Sequence, residues 1–368
     1  MSHPAVALVH ERFTEVAGSE RVVEQLSREY PCARVHVPIA RPEGIPPALS
    51  AAPVTTYLDR LYRLSGRGTY APLLPLLPGA FRAMPLRHAD VVVVSHHAFA
   101  TQVVHATDAP VVAYVHSPAR WAWDGKLRAG EAGGTVGALA LTALAARTRR
   151  HETSAAPLLA QVVANSTAVA ERIQRWWRRE AVVVPPPVDT EFYTPDPAVP
   201  RADFVLLAGR LVPYKRPDLA VLAAQRADVP LVVAGDGRWL RRCQALAGPR
   251  TTFVGRVSDE QLRDLHRRSR ALLMPGIEDF GIVPVEAMAC GTPVLALDTG
   301  GTMDTVVPGL SGAHVATGAD ETVVAGFADA LRTHRVGDYD PAAIRAHAET
   351  FSRAAFRSRM RAVVDGFG

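Results

Sequence analysis

Residues 271–296 read ALLMPGIEDFGIVPVEAMACGTPVLA, and this stretch decides the fold. It starts with a short apolar run, Ala271–Met274, and ends with a second one, Pro293–Ala296. Between them lie a glycine-bearing loop and a segment in which Pro284 suits an N-terminal helical position. Apolar runs without alternation are typical of strands covered on both faces of a parallel sheet, and the segment between them supplies the crossover helix. The stretch therefore predicts a strand–helix–strand unit of an α/β protein.

Similar apolar runs recur along the rest of the chain. Seven more are predicted as strands: Val6–Val9, Val91–Ser95, Val111–Val115, Val162–Asn165, Phe204–Ala208, Leu231–Ala234 and Thr252–Val254. Prolines crowd the stretch 185–200, where no periodic pattern occurs, near the middle of the chain. We therefore predict two doubly wound α/β domains, over residues 1–195 and 196–349, and a final helix at about 350–368. Because open parallel sheets bind ligands at the carboxyl ends of their strands, the expected site is a cleft between the two domains.

Composition narrows the range of partners. The 368 residues are 48% hydrophobic and 21% charged, which suits two domains with their own cores and argues against disorder. The net charge of +5 comes from 41 Lys and Arg against 36 Asp and Glu. That excess suits phosphate-bearing ligands, but it is too small and too scattered to predict a nucleic-acid partner.

Cysteines and apolar segments indicate the compartment. The three cysteines are far apart and show no zinc-binding spacing, so we expect reduced core thiols of a cytosolic protein. The apolar run after Met1 stops at His10, which is unlike a signal peptide. No apolar stretch reaches the roughly 18 residues of a spanning helix. We therefore expect a soluble cytoplasmic protein, at most peripheral at the inner face of a membrane.

Two acids follow the strand at Ala271–Met274. Glu278 lies at the carboxyl end of the strand and Glu286 lies within the predicted helix, so the two carboxylates can reach one pocket from different distances. Free N–H groups at the helix start, near residues 280–283, form a natural anion site. The spacing alone is equally compatible with a non-functional interpretation, in which Glu278 is a solvated acid and Glu286 lies on a helix face.

Two cations leave the strand Phe204–Ala208 on the next loop. Arg210 and Lys215 are five residues apart and can converge on one diphosphate, where they would stabilise its departure. A basic surface loop is the alternative, and the cluster taken alone favours it. A weaker signal is Arg256-Val257, where backbone after a strand can read the edge of a nucleotide base.

The N-terminal half offers a glycine and a histidine. Gly18-Ser19-Glu20 opens an amphipathic helix, and Gly18 permits close approach of a phosphate to the helix N-terminus. No G-x-G-x-x-G fingerprint occurs, which argues against a nicotinamide cofactor. His116 ends the strand Val111–Val115, and a structural and a functional role are equally favoured there.

Three other motifs predict no chemistry. Asp338-Tyr-Asp340 spells an acidic metal-binding motif, but it trails no strand and precedes a proline. Ser95-His96-His97 has no nucleophile elbow, and adjacent residues of a strand point to opposite faces. The basic, aromatic stretch 172–179 is interpreted as a partly exposed helix rather than a membrane-surface helix.

Taken together, these clusters resemble glycosyltransferase family 4, whose members have the GT-B fold. The resemblance covers nearly the whole chain and is closest to bacterial mannosyltransferase-like members. It is carried by Gly18-Ser19-Glu20, Asp90–Ser95, Tyr114–Pro118, Ala164–Ser166, Pro186–Asp189, Gly209-Arg210 with Lys215, Gly235–Gly237, Gly255–Val257 and the two glutamates separated by seven residues. It implies two Rossmann-like domains facing each other across a cleft, an acceptor-binding N-terminal domain, a donor-binding C-terminal domain, and a C-terminal helix that returns to the first domain.

The resemblance also implies a role for each candidate residue. Arg210 and Lys215 would hold the diphosphate of a nucleotide-sugar donor, Glu278 would contact sugar hydroxyls, and Glu286 would bind the ribose. The remaining donor contacts would come from Gly18, Ser19, Arg256, Val257, Asp279, Phe280, Gly281, Ile282 and Val283. His116 would lie near the transferred sugar, and Arg120, Trp121 and Asn165 are acceptor-side candidates. Family members retain the anomeric configuration and need neither a metal nor another cofactor.

The expected partners are therefore a nucleotide diphosphate sugar, with GDP-mannose first and a UDP- or dTDP-sugar second, and a glycan, lipid-linked or natural-product acceptor. Two positions depart from the family pattern: Ser19 stands where a second glycine is frequent, and Asp304 stands where Glu is usual. The alternatives are a nucleotide-sugar epimerase or a phosphorylase on the same fold, and a non-catalytic binding protein.

Overall fold

The computed structural model describes residues 4–49, 51–66, 68–125, 128, 134–333 and 338–367. Its contacts divide the chain into two units, which are described separately. The N-terminal domain is formed by Met1–Pro187 together with Phe356–Gly368, and the C-terminal domain is formed by Val188–Ala355.

The described part of the N-terminal domain contains a sheet of seven parallel strands in the order β3-β2-β1-β4-β5-β6-β7. The strands are β1 Val6–His10, β2 Val35–Val37, β3 Val54–Thr55, β4 Val91–His96, β5 Val111–Val115, β6 Gln161–Ala164 and β7 Val182–Val183. The helices are α1 Gly18–Glu29, α2 Tyr57–Leu64, α3 Leu77–Arg82, α4 Arg120–Trp123, α5 Gly134–Ala155 and α6 Thr167–Trp177. This arrangement confirms the predicted doubly wound sheet.

Strand β4 shows why the sequence forms such a sheet. All six of its residues are buried, and successive valines point to opposite faces. Val91 and Val93 pack into one apolar cluster, whereas Val92 and Val94 pack into the other. Because both faces are covered, the strand needs apolar residues at every position, which is the continuous pattern seen in the sequence.

The C-terminal helix, α14 (Arg353–Val364), packs on the N-terminal domain. Its apolar face, Phe356, Met360 and Val364, lies in the cluster that also contains Val93 of β4. The ring of Phe356 meets Tyr114 edge to face at 5.6 Å. The expected return of this helix to the first domain is confirmed.

The C-terminal domain, in its described residues, contains six parallel strands in the order β10-β9-β8-β11-β12-β13. They are β8 Val205–Ala208, β9 Leu231–Ala234, β10 Thr251–Gly255, β11 Leu272–Met274, β12 Val294–Leu297 and β13 Gly312–Val315. The helices are α7 Pro217–Ala227, α8 Leu240–Leu246, α9 Asp259–Arg268, α10 Ile282–Ala289, α11 Thr302–Thr305, α12 Asp320–Thr333 and α13 Pro341–Glu349.

The boundary between the two units falls after residue 187, within the proline-rich stretch 185–200 but before the predicted end of the first domain at residue 195. Residues 188–195 pack with the C-terminal domain because its groups satisfy their backbone. The Val188 N–H donates to the Phe351 carbonyl at 3.0 Å, and Arg345 donates to the carbonyl of Tyr193.

The ends of the predicted strands differ from the observed ends by at most one residue, and the apolar pattern left β2, β3, β7 and β13 undetected. These strands are short or atypical: β7 has two exposed residues, and β13 includes Gly312 and a half-buried His314. The expectation of core thiols holds for Cys243 and Cys290, but Cys32 is exposed, so it was wrong for that residue.

Candidate active site

The loop that follows β8 carries three cations with different partners. Arg210 is exposed and its Nη2 donates to the Tyr214 hydroxyl at 3.1 Å. Lys215 points toward Glu278, which follows β11. Arg216 is held by the acidic side chain of Asp218 and by that of Asp320, so it stabilises the loop instead of facing the pocket.

Lys215 and Glu278 meet at the carboxyl edge of the sheet. The Lys215 Nζ lies 2.8 Å from Glu278 Oε1, and the two side chains are only 19% and 16% exposed. The pair is close enough for strong attraction but is not aligned as a hydrogen bond, so Oε1 remains a buried acceptor without a donor among the described residues. Arg210, Lys215 and Glu278 line one small pocket. The structure thus brings three of the predicted residues together.

Three glycines fix the loops that carry these side chains. A Cβ on Gly235 would lie 1.9 Å from the carbonyl oxygen of Gly209, and one on Gly237 would lie 2.4 Å from the carbonyl oxygen of Leu211. On the other side, a Cβ on Gly301 would lie 2.3 Å from the Cα of Phe280. These positions need glycine because backbone packs directly on backbone. Sequence reasoning did not assign this role to them.

Helix α10 begins next to Glu278 and carries the second acid. Gly281 caps it with φ of +95°, a left-handed conformation that favours glycine. Asp279, Ile282 and Val283 are half-buried, and Phe280 is buried, as is Glu286 on the helix itself. The predicted donor-binding stretch is therefore the N-terminal turn of α10 and the loop before it.

Arg256 and Val257 follow β10, one strand beyond β9. The Arg256 side chain is 85% exposed and lies 3.7 Å from Asp236, so its ion pair is a weak surface contact. Val257 is half-buried.

In the N-terminal domain, His116 ends a chain of buried polar contacts. Its Nε2 lies 2.8 Å from the Oγ of Ser95, which in turn lies 3.0 Å from Nδ1 of His10. The Nε2 of His10 lies 3.1 Å from Oε1 of Glu20. The β1–β4 register places His10 beside Ser95, so this chain results from strand pairing. Sequence reasoning discounted Ser95 and did not single out His10.

Burial sets the protonation states of these groups. Burial, and secondarily the charge of His10, lowers the pKa of His116 to about 3. His97 stacks on His116 at 4.5 Å, and burial with the neighbouring positive charges lowers its pKa well below the usual range. Burial would raise the pKa of Glu20, but hydrogen bonds from His10 and Ser19 outweigh this and lower it to about 2. At neutral pH His116 and His97 are uncharged and Glu20 is ionised.

The remaining predicted residues of this domain lie around that chain. Gly18 and Ser19 form the first turn of α1, and the Ser19 hydroxyl donates to Glu20 at 2.8 Å. The side-chain amide of Asn165 donates to the carbonyl of His116 at 2.8 Å, so Asn165 holds the loop after β5.

A cavity of about 350 Å³ opens at the carboxyl ends of β1, β4 and β5. Arg120 and Trp121, both predicted for the acceptor side, line it together with Arg12 and Tyr70. The Arg12 guanidinium lies over the Tyr70 ring at 4.5 Å, and its buried Nε has no hydrogen-bond partner in the part of the chain that the structure describes. Arg12 and Tyr70 were missed, although Arg12 comes two residues after a strand end.

Glu11, the acid in the wall of this cavity, accepts hydrogen bonds from backbone groups at both of its carboxylate oxygens. The Glu11 carboxylate accepts the backbone N–H groups of four successive residues, His97, Ala98, Phe99 and Ala100, at 2.9 to 3.3 Å. Four amide dipoles stabilise its negative charge, and Arg12 and Arg120 contribute guanidinium groups to the lining of the same cavity.

The basic, aromatic stretch 172–179 contains the end of α6 and is partly exposed, as predicted, with Arg175 and Arg178 exposed. Trp177 is buried, and its indole donates to the fully buried carboxylate of Glu152, which also accepts from the indole of Trp123. Trp176 stacks on Trp123 at 5.4 Å. Among the described helices, none is long and apolar enough to cross a membrane.

The motif Asp338-Tyr-Asp340 has a local structural role at Asp340, whose carboxylate accepts the Ala342 N–H and caps α13. Over the described ranges, no group of three His, Cys, Asp or Glu side chains is arranged to hold a metal ion.

Comparisons with known proteins agree with this geometry. The family model "Glycosyltransferase Family 4" matches residues 16–192, and the model "Glycosyl transferases group 1" matches residues 192–341. The D-inositol 3-phosphate glycosyltransferase of Mycolicibacterium smegmatis is 36% identical over 189 residues, which cover 45% of this chain and 42% of the relative. The enzyme of the same name from Nocardia farcinica is 35% identical over 210 residues, covering 49% and 46%. The match spans less than half the length of these relatives.

Solved structures show the fold. HepE from Anabaena, crystallised with UDP and glucose, superposes with a TM-score of 0.68 at 18% identity and covers 99% of this chain and all of that one. Sucrose-phosphate synthase from Thermosynechococcus elongatus gives a TM-score of 0.73 at 18% identity, with 98% of each chain covered. These likenesses show the GT-B fold, and because the two family models match adjoining stretches from residue 16 to residue 341, the protein belongs to glycosyltransferase family 4.

Proposed function

We propose that the protein is a retaining hexosyltransferase that moves a sugar from a nucleotide diphosphate donor to an acceptor hydroxyl. The observation that carries the proposal is the Lys215–Glu278 pair at the edge of the second sheet. It offers a cation for a departing phosphate and, at Glu278 Oε1, a buried acceptor whose close donor, the ammonium of Lys215, is poorly aligned. A sugar hydroxyl would supply an aligned donor.

The proposed reaction needs charge stabilisation more than proton transfer by the protein. The bond between the anomeric carbon and the diphosphate oxygen breaks, and its electron pair stays on the phosphate. Arg210 and Lys215 stabilise that charge as it develops, together with the N–H groups at the start of α10. The acceptor oxygen attacks the face that the diphosphate leaves, and its proton passes to the departing phosphate. Because Glu278 is paired with Lys215, it serves better as a hydrogen-bond acceptor than as a nucleophile.

The other donor contacts follow the family pattern. Glu286 accepts hydrogen bonds from the ribose, the backbone at Arg256-Val257 meets the base, and the first turn of α1 at Gly18 and Ser19 meets the phosphate. His116 contacts the transferred sugar. No metal is required in this scheme, because Arg210 and Lys215 supply the positive charge; an excess of EDTA is expected to leave the rate unchanged.

The donor is tested by thermal shift. GDP-mannose is the first candidate, and UDP- or dTDP-sugars are the second; HepE, a protein of this fold, binds UDP. The matching nucleoside diphosphate raises Tm by mass action, and Glu286→Ala reduces that shift. Glu321→Ala, at an 81% exposed side chain of the same domain, is the matched control. Equal shifts in the two variants would contradict the assignment of Glu286.

The acceptor is proposed to bind in the cavity beside Arg12 through an anionic group. The position of Arg12 in the cavity lining and its Nε, which has no partner among the described residues, support this, and the named activity of the relatives makes D-inositol 3-phosphate the first probe. Arg12→Gln is expected to weaken binding of this probe about tenfold, as for the loss of one charged hydrogen bond, with no change in donor binding. The exposed Arg34, changed to Gln, is the control. Equal binding of unphosphorylated inositol would contradict an anionic acceptor.

Product analysis separates this function from the alternatives. Transfer with retention gives a glycoside with the anomeric configuration of the donor, read from its anomeric NMR coupling. An isomerised donor in the absence of acceptor would indicate an epimerase, and a sugar 1-phosphate formed with inorganic phosphate would indicate a phosphorylase.

A further inference from the structure

The buried chain in the N-terminal domain connects an ionised carboxylate to the histidine that faces the sugar in the proposed function. It runs from Glu20 through His10 and Ser95 to His116 with contacts of 3.1, 3.0 and 2.8 Å. His10 and Ser95 are at most 1% exposed and Glu20 is 6% exposed, so water does not compete for these bonds. Strands β1 and β4, the residue that follows β5 and helix α1 contribute to it, so a chance surface contact does not explain it.

The direction of each hydrogen bond follows from the first group. An ionised carboxylate only accepts, so the Nε2 of His10 carries a proton and donates to Glu20. A neutral His10 then has a bare Nδ1, which accepts the Ser95 hydroxyl proton. Because that proton is used, the Ser95 oxygen accepts from Nε2–H of His116. Any other arrangement with a neutral His10 leaves the buried Ser95 hydroxyl without one of its bonds.

We propose that Glu20, His10 and Ser95 are positioning residues that hold His116 in the Nε2–H tautomer, with Nδ1 as a hydrogen-bond acceptor. No hydrogen bond of His116 Nδ1 is found among the described residues. This inference rests on the proposed function for its consequence: Nδ1 accepts a hydrogen bond from a hydroxyl of the sugar. If Nδ1 carried the proton instead, it would donate to a sugar oxygen, and the sugar hydroxyl would lose this acceptor.

The tautomer is measured directly by long-range ¹H–¹⁵N correlation NMR on the full chain labelled at histidine nitrogens. The chain has 13 histidines, and comparison with His116→Gln identifies the His116 signal. The expected wild-type spectrum at pH 7.5 has protonated Nε2 and bare Nδ1 at His116. Ser95→Ala is expected to give a mixture of tautomers, and Ser95→Thr, which keeps the hydroxyl on a β-branched side chain suited to a strand, is expected to restore the single tautomer.

Kinetics give the second readout. With the nucleotide sugar selected by thermal shift and no acceptor, Ser95→Ala is expected to lower kcat for donor hydrolysis five- to tenfold, the value of about one hydrogen bond, with Ser95→Thr close to wild type. In the NMR experiment Glu20→Gln is expected to give a mixture of His116 tautomers, as Ser95→Ala does, since the ionised acceptor that fixes the direction of the chain is gone. Near-UV circular dichroism checks that each variant is folded.

The outcomes separate this inference from the proposed function. A wild-type His116 protonated at Nδ1, or an unchanged tautomer in a folded Ser95→Ala variant, would overturn the positioning role even if transfer is observed. If the wild type binds no nucleotide sugar, the proposed function is refuted, but the NMR result on the His116 tautomer remains valid.

Discussion

Both domains place their functional side chains at the carboxyl edge of a parallel sheet, but they treat charge differently. In the C-terminal domain Lys215 and Glu278 form a charged pair that is still 19% and 16% exposed. In the N-terminal domain His10 and Ser95 are buried, and the two histidines at the edge, His97 and His116, are neutral at pH 7. One edge carries a half-buried pair of opposite charges, and the other joins the ionised carboxylate of Glu20 to the neutral His116 through hydrogen bonds of fixed direction.

The difference extends to the carboxylates. Within the N-terminal domain, Glu11 is offset by four backbone N–H groups, and Glu152 by two indoles, an amide and His96. The carboxylate of Glu278 lacks such neighbours, because its Oε1 has only the unaligned ammonium of Lys215. An acid that is left incompletely satisfied is a candidate for ligand binding, whereas a fully satisfied acid stabilises the fold.

The largest effect is expected from Lys215→Ala. Removal of one preorganised cation at a developing phosphate charge should lower kcat for donor turnover by about 10²–10³-fold. Arg250→Ala, a surface cation of the same domain paired only with Asp228, is the control and should stay near wild type. The rate is measured as release of nucleoside diphosphate.

Stability is separated from catalysis in the same series. Lys215→Ala leaves Glu278 unpaired, so Tm falls; adding Glu278→Gln removes the charge and should recover part of Tm without recovering activity. If Lys215→Ala leaves donor turnover unchanged, the charged pair at the C-terminal edge has no catalytic role.

The second effect concerns Glu20 in the N-terminal domain. Its folded pKa of about 2 lies below the value of 4.5 for the free side chain, so ionised Glu20 stabilises the fold above pH 4.5. That contribution is lost as the pH falls through 4.5 toward 2, and it amounts to at most about 3 kcal/mol. The free-energy difference between wild type and Glu20→Gln, from urea unfolding, should therefore shrink over this range.

The exposed Glu15, changed to Gln, is the control, and it should show no such trend. A difference between wild type and Glu20→Gln that is the same at pH 6 and pH 3 would mean that the Glu20–His10 contact does not depend on ionisation.

The two edges also differ in how far the sequence reveals them. Arg210, Lys215, Glu278 and Glu286 each belong to a local pattern of strand, loop and helix, so their positions followed from the alternation of apolar runs and punctuating glycines. The N-terminal chain depends on which strands are neighbours: His10 meets Ser95 only because β1 pairs with β4. Strand order and register are long-range properties that one sequence does not specify, which is why Ser95 was interpreted as a strand residue without chemistry.

The backbone contacts of the loop glycines could not be predicted from the sequence for a related reason. A glycine in a loop signals a turn, but the sequence does not say which backbone lies against it. Gly235 lies against Gly209, 26 residues earlier in the sequence, and Gly301 lies against Phe280, 21 residues earlier. Only the folded domain defines these contacts.

Gly301→Ala tests this support with the third expected effect. The φ of Gly301 is −68°, which alanine adopts freely, so any change comes from the added methyl group alone. That methyl would lie 2.3 Å from the Cα of Phe280 and 2.5 Å from the carbonyl oxygen of Asp279, so the loop after Glu278 must move. We expect the donor KM to rise about tenfold and Tm to fall by a few degrees.

Gly318→Ala is the matched control, because its methyl would meet only the Thr322 side chain at 3.4 Å. If Gly301→Ala keeps the wild-type KM, the position of the Glu278 loop does not control donor binding.

The smallest effect is expected from Arg256→Ala. The side chain is 85% exposed and its ion pair with Asp236 is 3.7 Å long, so its loss should change Tm by less than a degree and the donor KM by less than twofold. The proposed contact with the base comes from the backbone of this turn, which the substitution leaves in place. Binding of UDP and GDP is therefore measured for both proteins, and the ratio of the two affinities should be the same. A tenfold change in that ratio would show that the guanidinium itself reads the base, and the C-terminal edge would then use an exposed charge for specificity as well as a half-buried pair for catalysis.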